Sequence, residues 1–129
     1  MTVDIKIAAG QRLMAGLPGT ELDPGFVSLV RECKVGNVIL FRRNVKSAAQ
    51  LERLCTSLRR LIVAETGFEP FIAIDQEGGV VSRFSPDMAI TPGAMALAAA
   101  GGDAPYRAAR LTAQQLRAAG ANFELAPVL

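Results

Sequence analysis

Apolar residues recur along the chain with two spacings, and the switching between them predicts alternating helices and strands. Residues 6–11 read as a helix and 12–17 as a short strand, closed by the turn-forming Leu17-Pro18-Gly19. Asp23-Pro24 then opens a helix, with Asp as its cap and Pro at its first position. Phe26, Leu29, Val30 and Cys33 give that helix one apolar face. Within residues 37–41 the run Val38-Ile39-Leu40-Phe41 has no alternation, as a strand covered on both faces of a parallel sheet requires. Ser47 to Gln50 has the S-x-x-Q form of a capping box. Leu51, Leu54, Cys55, Leu58, Leu61 and Ile62 follow at helical spacing, and Gly67 stops that helix. Residues 71–74 repeat the buried-strand pattern and run directly into Asp75. The stretch from 76 to about 102 holds Pro86, Pro92, Gly78, Gly79, Gly93, Gly101 and Gly102, and reads as irregular. Asp103 caps a last helix with Ala109, Ala113 and Leu116 on one face and Gly120 at its end, and 122–128 reads as a final buried strand.

Strands joined by helical crossovers lie parallel, so the class is α/β. Two architectures fit: a small complete doubly wound domain, or part of a (β/α)8 barrel, which needs about 250 residues. The sequence stops at Leu129 on an apolar strand with no helix to cover it, and a complete small domain rarely ends so. The expectation is therefore the N-terminal portion of a TIM-like (β/α)8 barrel, truncated, with residues 1–129 as one piece of a single barrel domain. Such a piece leaves its first and last strands with open edges, from which self-association by strand pairing is expected.

Composition narrows the partners. Half of the 129 residues are hydrophobic and 20% are charged, which is a globular balance. A net charge of +2 without a basic stripe argues against nucleic acid. The N-terminus lacks the basic and apolar regions of a signal peptide, and no apolar run is long enough to cross a bilayer, so a cytoplasmic protein is the plain expectation. Cys33 and Cys55 both fall on predicted apolar helix faces and are read as buried structural thiols. The chain has no histidine. Any chemistry within it must do without imidazole, and Ser82, Ser85 and Cys55 have no partner for a nucleophilic triad.

In parallel α/β folds the ligand site lies at the carboxyl ends of the strands. Asp75 stands there, either accepting hydrogen bonds from ligand hydroxyls or capping loop amides. Glu77, two residues on, points to the same side if the chain is extended. That invites a pair of catalytic carboxyls, although pairing of Glu77 with an arginine or with the turn backbone is the preferred reading. Gly78-Gly79 permits close backbone approach or unusual dihedrals but belongs to no phosphate-binding pattern. Arg83 could fork onto ligand oxygens or form a surface salt bridge. Arg42 and Arg43 are adjacent and point apart, so at most one faces the site.

These residues resemble a known family. Lys34 to Asn44 is similar to a K-V-G-G-V-I-L-F-x-R-N segment, and Ile72-Ala73-Ile74-Asp75-Gln76-Glu77-Gly78-Gly79 matches I-A-I-D-Q-E-G-G. Arg83-Phe84, Thr91 to Ala96, and Leu116 to Leu129 with its Ala126-Pro127-Val128-Leu129 follow in the same order. The family is that of the glycoside hydrolase family 3 β-N-acetylhexosaminidases. The resemblance implies a TIM-like barrel and retaining hydrolysis of terminal β-linked N-acetylglucosamine, in bacteria during cytoplasmic recycling of cell-wall muropeptides. It implies substrate binding by Asp75 and Arg83, and needs no cofactor or metal. The family's nucleophilic aspartate and acid/base histidine lie in motifs past Leu129, so no catalytic residue is assigned here and the chain alone is expected to be inactive. Three positions depart from the pattern: Val80 replaces a usual arginine, Asn37 a common glycine, and Glu124 stands where many members have another polar or apolar residue. Two other functions stay open, a family 3 β-glucosidase and a small α/β binding domain that uses Asp75 and Glu77 for a metal or polar ligand.

Overall fold

The computed structural model describes residues 4–127. Four strands, β1 (Met14–Gly16), β2 (Asn37–Leu40), β3 (Ile72–Ile74) and β4 (Phe123–Glu124), form one parallel sheet in the order β1-β2-β3-β4. Helix α1 (Ile5–Gly10) precedes β1, α2 (Pro24–Cys33) joins β1 to β2, and α3 (Ala48–Thr66) joins β2 to β3. Helices α4 (Ala94–Ala100) and α5 (Ala104–Ala118) lie between β3 and β4. The strictly sequential order decides between the two architectures. A doubly wound sheet reverses its strand order at a switch point, whereas successive crossovers of one hand, always to the next position, build the arc of a barrel.

Helices α2 and α3 begin where the side chains predict. Asp23 accepts the amide of Phe26 at 3.1 Å with Pro24 at the first turn, and Ser47 accepts the amide of Gln50 at 3.1 Å. The Gln50 half of the expected capping box is displaced: Oε1 takes the amide of Lys46 at 2.7 Å, one residue before the cap. Leu51, Leu54, Cys55, Leu58 and Ile62 bury the inner face of α3 against Val30 of α2, Val38 and Leu40 of β2, and Ile72 and Ile74 of β3. Burial of each large aliphatic side chain contributes about 1.5–3 kcal/mol.

Two asparagines hold the amino ends of the strands together. Asn37 donates through Nδ2 to the carbonyls of Gln11 (2.8 Å) and Leu13 (3.2 Å), and its Oδ1 accepts the amide of Phe71 at 3.0 Å. Asn122 repeats the device one strand along, donating to the carbonyl of Pro70 (2.9 Å) and accepting from Ile72 (2.7 Å). The Asn37 departure from the family pattern is thus a structural link on the face away from the candidate site.

Several expectations need correction. Cys33 is exposed, because the chain leaves α2 there through Lys34 in the left-handed conformation (φ 53°) and Val35 enters the core instead. The supposedly irregular stretch contains α4, since an alanine run has the best helix propensity even without an amphipathic pattern. Asp103 occupies the cap position of α5 but does not cap: its backbone (ψ 7°) is not extended, and its carboxylate meets Arg107 at 3.4 Å. The buried face of α5 is Ala108, Thr112 and Leu116, one position off the predicted 109/113 row. The last strand is two residues long and only partly buried, and position 128 lies outside the described residues. No described helix is long and apolar enough to cross a membrane.

Candidate functional site

The carboxyl end of β3 delivers Asp75 to the rim of the sheet. Its Oδ2 lies 3.4 Å from Nη2 of Arg83, and each side chain is 25% exposed. The contact is long for an ion pair with hydrogen-bond character. Nε of Arg83 is buried without a hydrogen-bond partner. Its contact with Asp75 therefore leaves one donor of the Arg83 guanidinium unused.

Gln76 brings Arg83 back over Asp75. Its side chain is buried, and Oε1 accepts the amides of Arg83 (2.7 Å) and Phe84 (3.2 Å) while the amide group meets the Ser82 hydroxyl at 3.1 Å. Between them the chain reverses through Gly78-Gly79. Val81 donates to the carbonyl of Gly78 (3.2 Å), and Glu77 donates through its backbone to the carbonyl of Val81 (3.1 Å). Gly78 has φ 81°, and a Cβ there would stand 2.6 Å from the carbonyl oxygen of Thr91. Both uses foreseen for this glycine, a left-handed dihedral and close backbone approach, are present. Val80 sits at the tip of the turn in full solvent exposure.

The rest of the loop is tied to two helices. Asp87 accepts the amide of Ala48 at the start of α3 (3.0 Å) and the hydroxyl of Ser85, and these bonds hold its pKa below the ordinary 3.8, the Ser85 bond most. Gln115 of α5 clamps the Ala89 peptide, taking its amide at 2.7 Å and donating to its carbonyl at 2.9 Å. Arg42 and Arg43 do diverge. The first donates to the carbonyl of Val45 (2.6 Å), the second to that of Leu17 (3.1 Å) while lying 4.7 Å over the Phe41 ring.

Glu77 does not behave as expected. Among the described residues it has no ion pair, and its amide, not its carboxylate, joins the turn. Its side chain instead borders a cavity of about 360 Å3 between the loop, α4, α5 and the end of β4, together with Thr91, Leu97, Thr112 and Glu124. The strand ends at Ile74, and three residues later the backbone of Glu77 is taken up by the turn through Val81. The cavity walls are mainly alanine and proline with Leu97, and their polar members are Gln76, Glu77, Thr91, Thr112 and Glu124.

Glu124 was missed as a site residue. It lies opposite Ile74 in the register, and Oε1 accepts the amide of Gln76 at 2.8 Å. Burial, with smaller effects from the charges of Asp75 and Glu77, raises its pKa from 4.5 to about 7, against the opposing hydrogen bond from Gln76. The rule that selected Asp75, a carboxylate at a strand's carboxyl end, selects Glu124 too once β4 is known to stop there. Cys55 has its thiol pushed up to about 12 by burial, which leaves it an inert core group. Among the described residues no group of three or more His, Cys, Asp or Glu is placed to hold a metal ion.

A parallel arc of βα units with a carboxylate and an arginine converging at a strand's carboxyl end defines the class: part of an α/β barrel of the kind that hosts enzymes. The chain belongs to glycosyl hydrolase family 3, whose N-terminal domain (Glycosyl hydrolase family 3 N terminal domain) matches residues 9–129. It is 37% identical over 124 residues to a beta-hexosaminidase of Thiobacillus denitrificans, covering 91% of this chain and 33% of that protein. It spans about a third of the length of that curated relative. The structure of a glycoside hydrolase family 3 beta-N-acetylglucosaminidase from Paenibacillus sp. superposes with a TM-score of 0.92 at 38% identity, over 98% of this chain and 24% of that one. NagZ from Neisseria gonorrhoeae, solved with N-trifluoroacetyl-D-glucosamine, superposes with a TM-score of 0.73 at 27% identity, over 89% of this chain and 35% of that one.

Proposed function

We propose that these residues form the sugar-binding rim of a retaining β-N-acetylhexosaminidase, in which Asp75 and Arg83 hold hydroxyls of a terminal N-acetylglucosamine. Residues 1–129 would then be one part of the catalytic barrel, contributing recognition and no bond cleavage. The observation that carries the reading is the Asp75–Arg83 pair at the end of β3, loosely joined at 3.4 Å and with an unpartnered Arg83 Nε beside it. Such a pair takes a hydroxyl bridged between a carboxylate acceptor and a guanidinium donor. A solved relative named as a beta-N-acetylglucosaminidase, and NagZ solved with N-trifluoroacetyl-D-glucosamine, support the choice of sugar.

The same reading extends to muropeptide recycling in the cytoplasm of a bacterium, and to self-association through the outer edges of β1 and β4, which have no strand partner among the described residues. The decisive experiment is titration of the chain with N-acetylglucosamine, followed by amide chemical shifts. Shifts centred on Asp75 to Phe84, abolished in Asp75→Asn, are expected. Saturation of a different surface, or unchanged binding by Asp75→Asn, would overturn the assignment. A chromogenic N-acetylglucosaminide should not be turned over by this chain, and turnover would refute the purely binding role. A monomeric mass at high concentration by light scattering would refute the strand-edge association.

A further inference from the structure

Glu124, like Glu77, is an ionisable group near the rim that the sugar contacts of Asp75 and Arg83 leave without a task. It closes β4 and sends its side chain back across to β3, where Oε1 accepts the amide hydrogen of Gln76 at 2.8 Å. That hydrogen belongs to the peptide unit joining Asp75 to Gln76, so the bond fixes the plane in which the Asp75 Cα lies. The other oxygen, Oε2, is buried and has no hydrogen-bond partner among the described residues. The negative charges that act on Glu124 are those of Asp75 and Glu77, both on the segment after β3. Arg83 is the cation paired with Asp75. Helices α4 and α5 bring uncharged groups to the same cavity, among them Leu97, Ala108 and Thr112.

We propose that Glu124 is a positioning residue for Asp75. By gripping the Asp75–Gln76 peptide from the neighbouring strand, it sets where the Asp75 carboxylate stands relative to Arg83, and the strength of the grip follows its own protonation. A carboxylate accepts an amide hydrogen more strongly than a neutral acid does, roughly twice as strongly. With its pKa raised to about 7, Glu124 passes from the weaker to the stronger form near neutrality. The rim is therefore held more firmly above pH 7 than below it. The inference rests on Asp75 being the sugar contact, but the state of the Gln76 amide can be read without any sugar.

The test is a pH series on the 15N-labelled chain and on Glu124→Gln, which keeps an oxygen for the Gln76 amide but cannot titrate. In the wild-type chain the Gln76 amide proton should move with a midpoint near 7, and the Asp75 carboxyl carbon should follow it. Neither should show that midpoint in Glu124→Gln. Affinity for N-acetylglucosamine should rise about threefold through the same midpoint in wild type and stay flat in the variant. A Gln76 amide that is flat in wild type, or a midpoint that persists in Glu124→Gln, would overturn the proposal. If the chain binds no N-acetylglucosamine, the sugar reading of Asp75 fails, and the two resonances still decide whether Glu124 controls this peptide.

Discussion

Replacing Glu124 by Gln keeps an oxygen opposite the Gln76 amide and removes the charge, so its effect on folding stability isolates the cost of ionising a half-buried carboxyl. In the folded chain that group has a pKa of about 7 against an ordinary 4.5. The folded state thus holds the proton more tightly than the unfolded state does, and stability must fall as pH rises from about 4.5 to about 7. Below that window both states are protonated and the group contributes its full share. Above it both are ionised and the loss is complete. The rise corresponds to about 3 kcal/mol at about 1.4 kcal/mol for each factor of ten, and the water that reaches a half-buried carboxyl reduces this to about 1–2 kcal/mol. Urea unfolding of both proteins at several pH values gives the difference at each, in which the titrations they share cancel. The variant should match wild type near pH 4.5 and exceed it by about 1–2 kcal/mol at pH 8. A difference that stays constant across the window, or a variant less stable at pH 8, would refute the desolvation argument.

Gly78→Ala forces a Cβ to within 2.6 Å of the Thr91 carbonyl at a φ of 81°, and should destabilise by about 2–4 kcal/mol, against about 1 kcal/mol for Gly79→Ala, measured by urea unfolding. Asn37→Ala leaves two carbonyls and one amide without their side-chain partner and should cost about 2–4 kcal/mol by thermal unfolding, with N-acetylglucosamine binding unchanged because Asn37 lies at the opposite end of the strands. Under native conditions an aromatic disulfide reagent should label Cys33 alone, with Cys55 reacting only in denaturant, and fast labelling of both would contradict the buried place assigned to Cys55.

What the sequence conveyed well depends on contacts a few residues long or on runs buried from every side. The strands at 37–40 and 72–74 are legible because a strand covered on both faces needs no alternation, and α3 because six apolar residues at helical spacing leave little choice. Asp75 was legible for the same reason: it follows such a strand, and a strand that ends in a carboxylate points it at the rim. Cys33 and α4 were not, for opposite causes. The periodicity that includes Cys33 runs on while the helix stops at Lys34, and the alanine run has no periodicity although the helix forms.

The missed role of Glu124 is of a different kind. Nothing local singles out Phe123 and Glu124 as the whole of β4, because the boundary is set by where β3 stops offering a partner, at Ile74, some fifty positions earlier in the sequence. A carboxylate's meaning in a parallel barrel depends on whether it lies inside a strand or at its carboxyl end, and that is decided between strands. Charged residues at the rim of such a fold are therefore legible in proportion to how sharply their own strand ends. Asp75 follows an abrupt apolar edge and Glu124 does not, which is why the first could be read from the residues and the second needed the neighbouring strand.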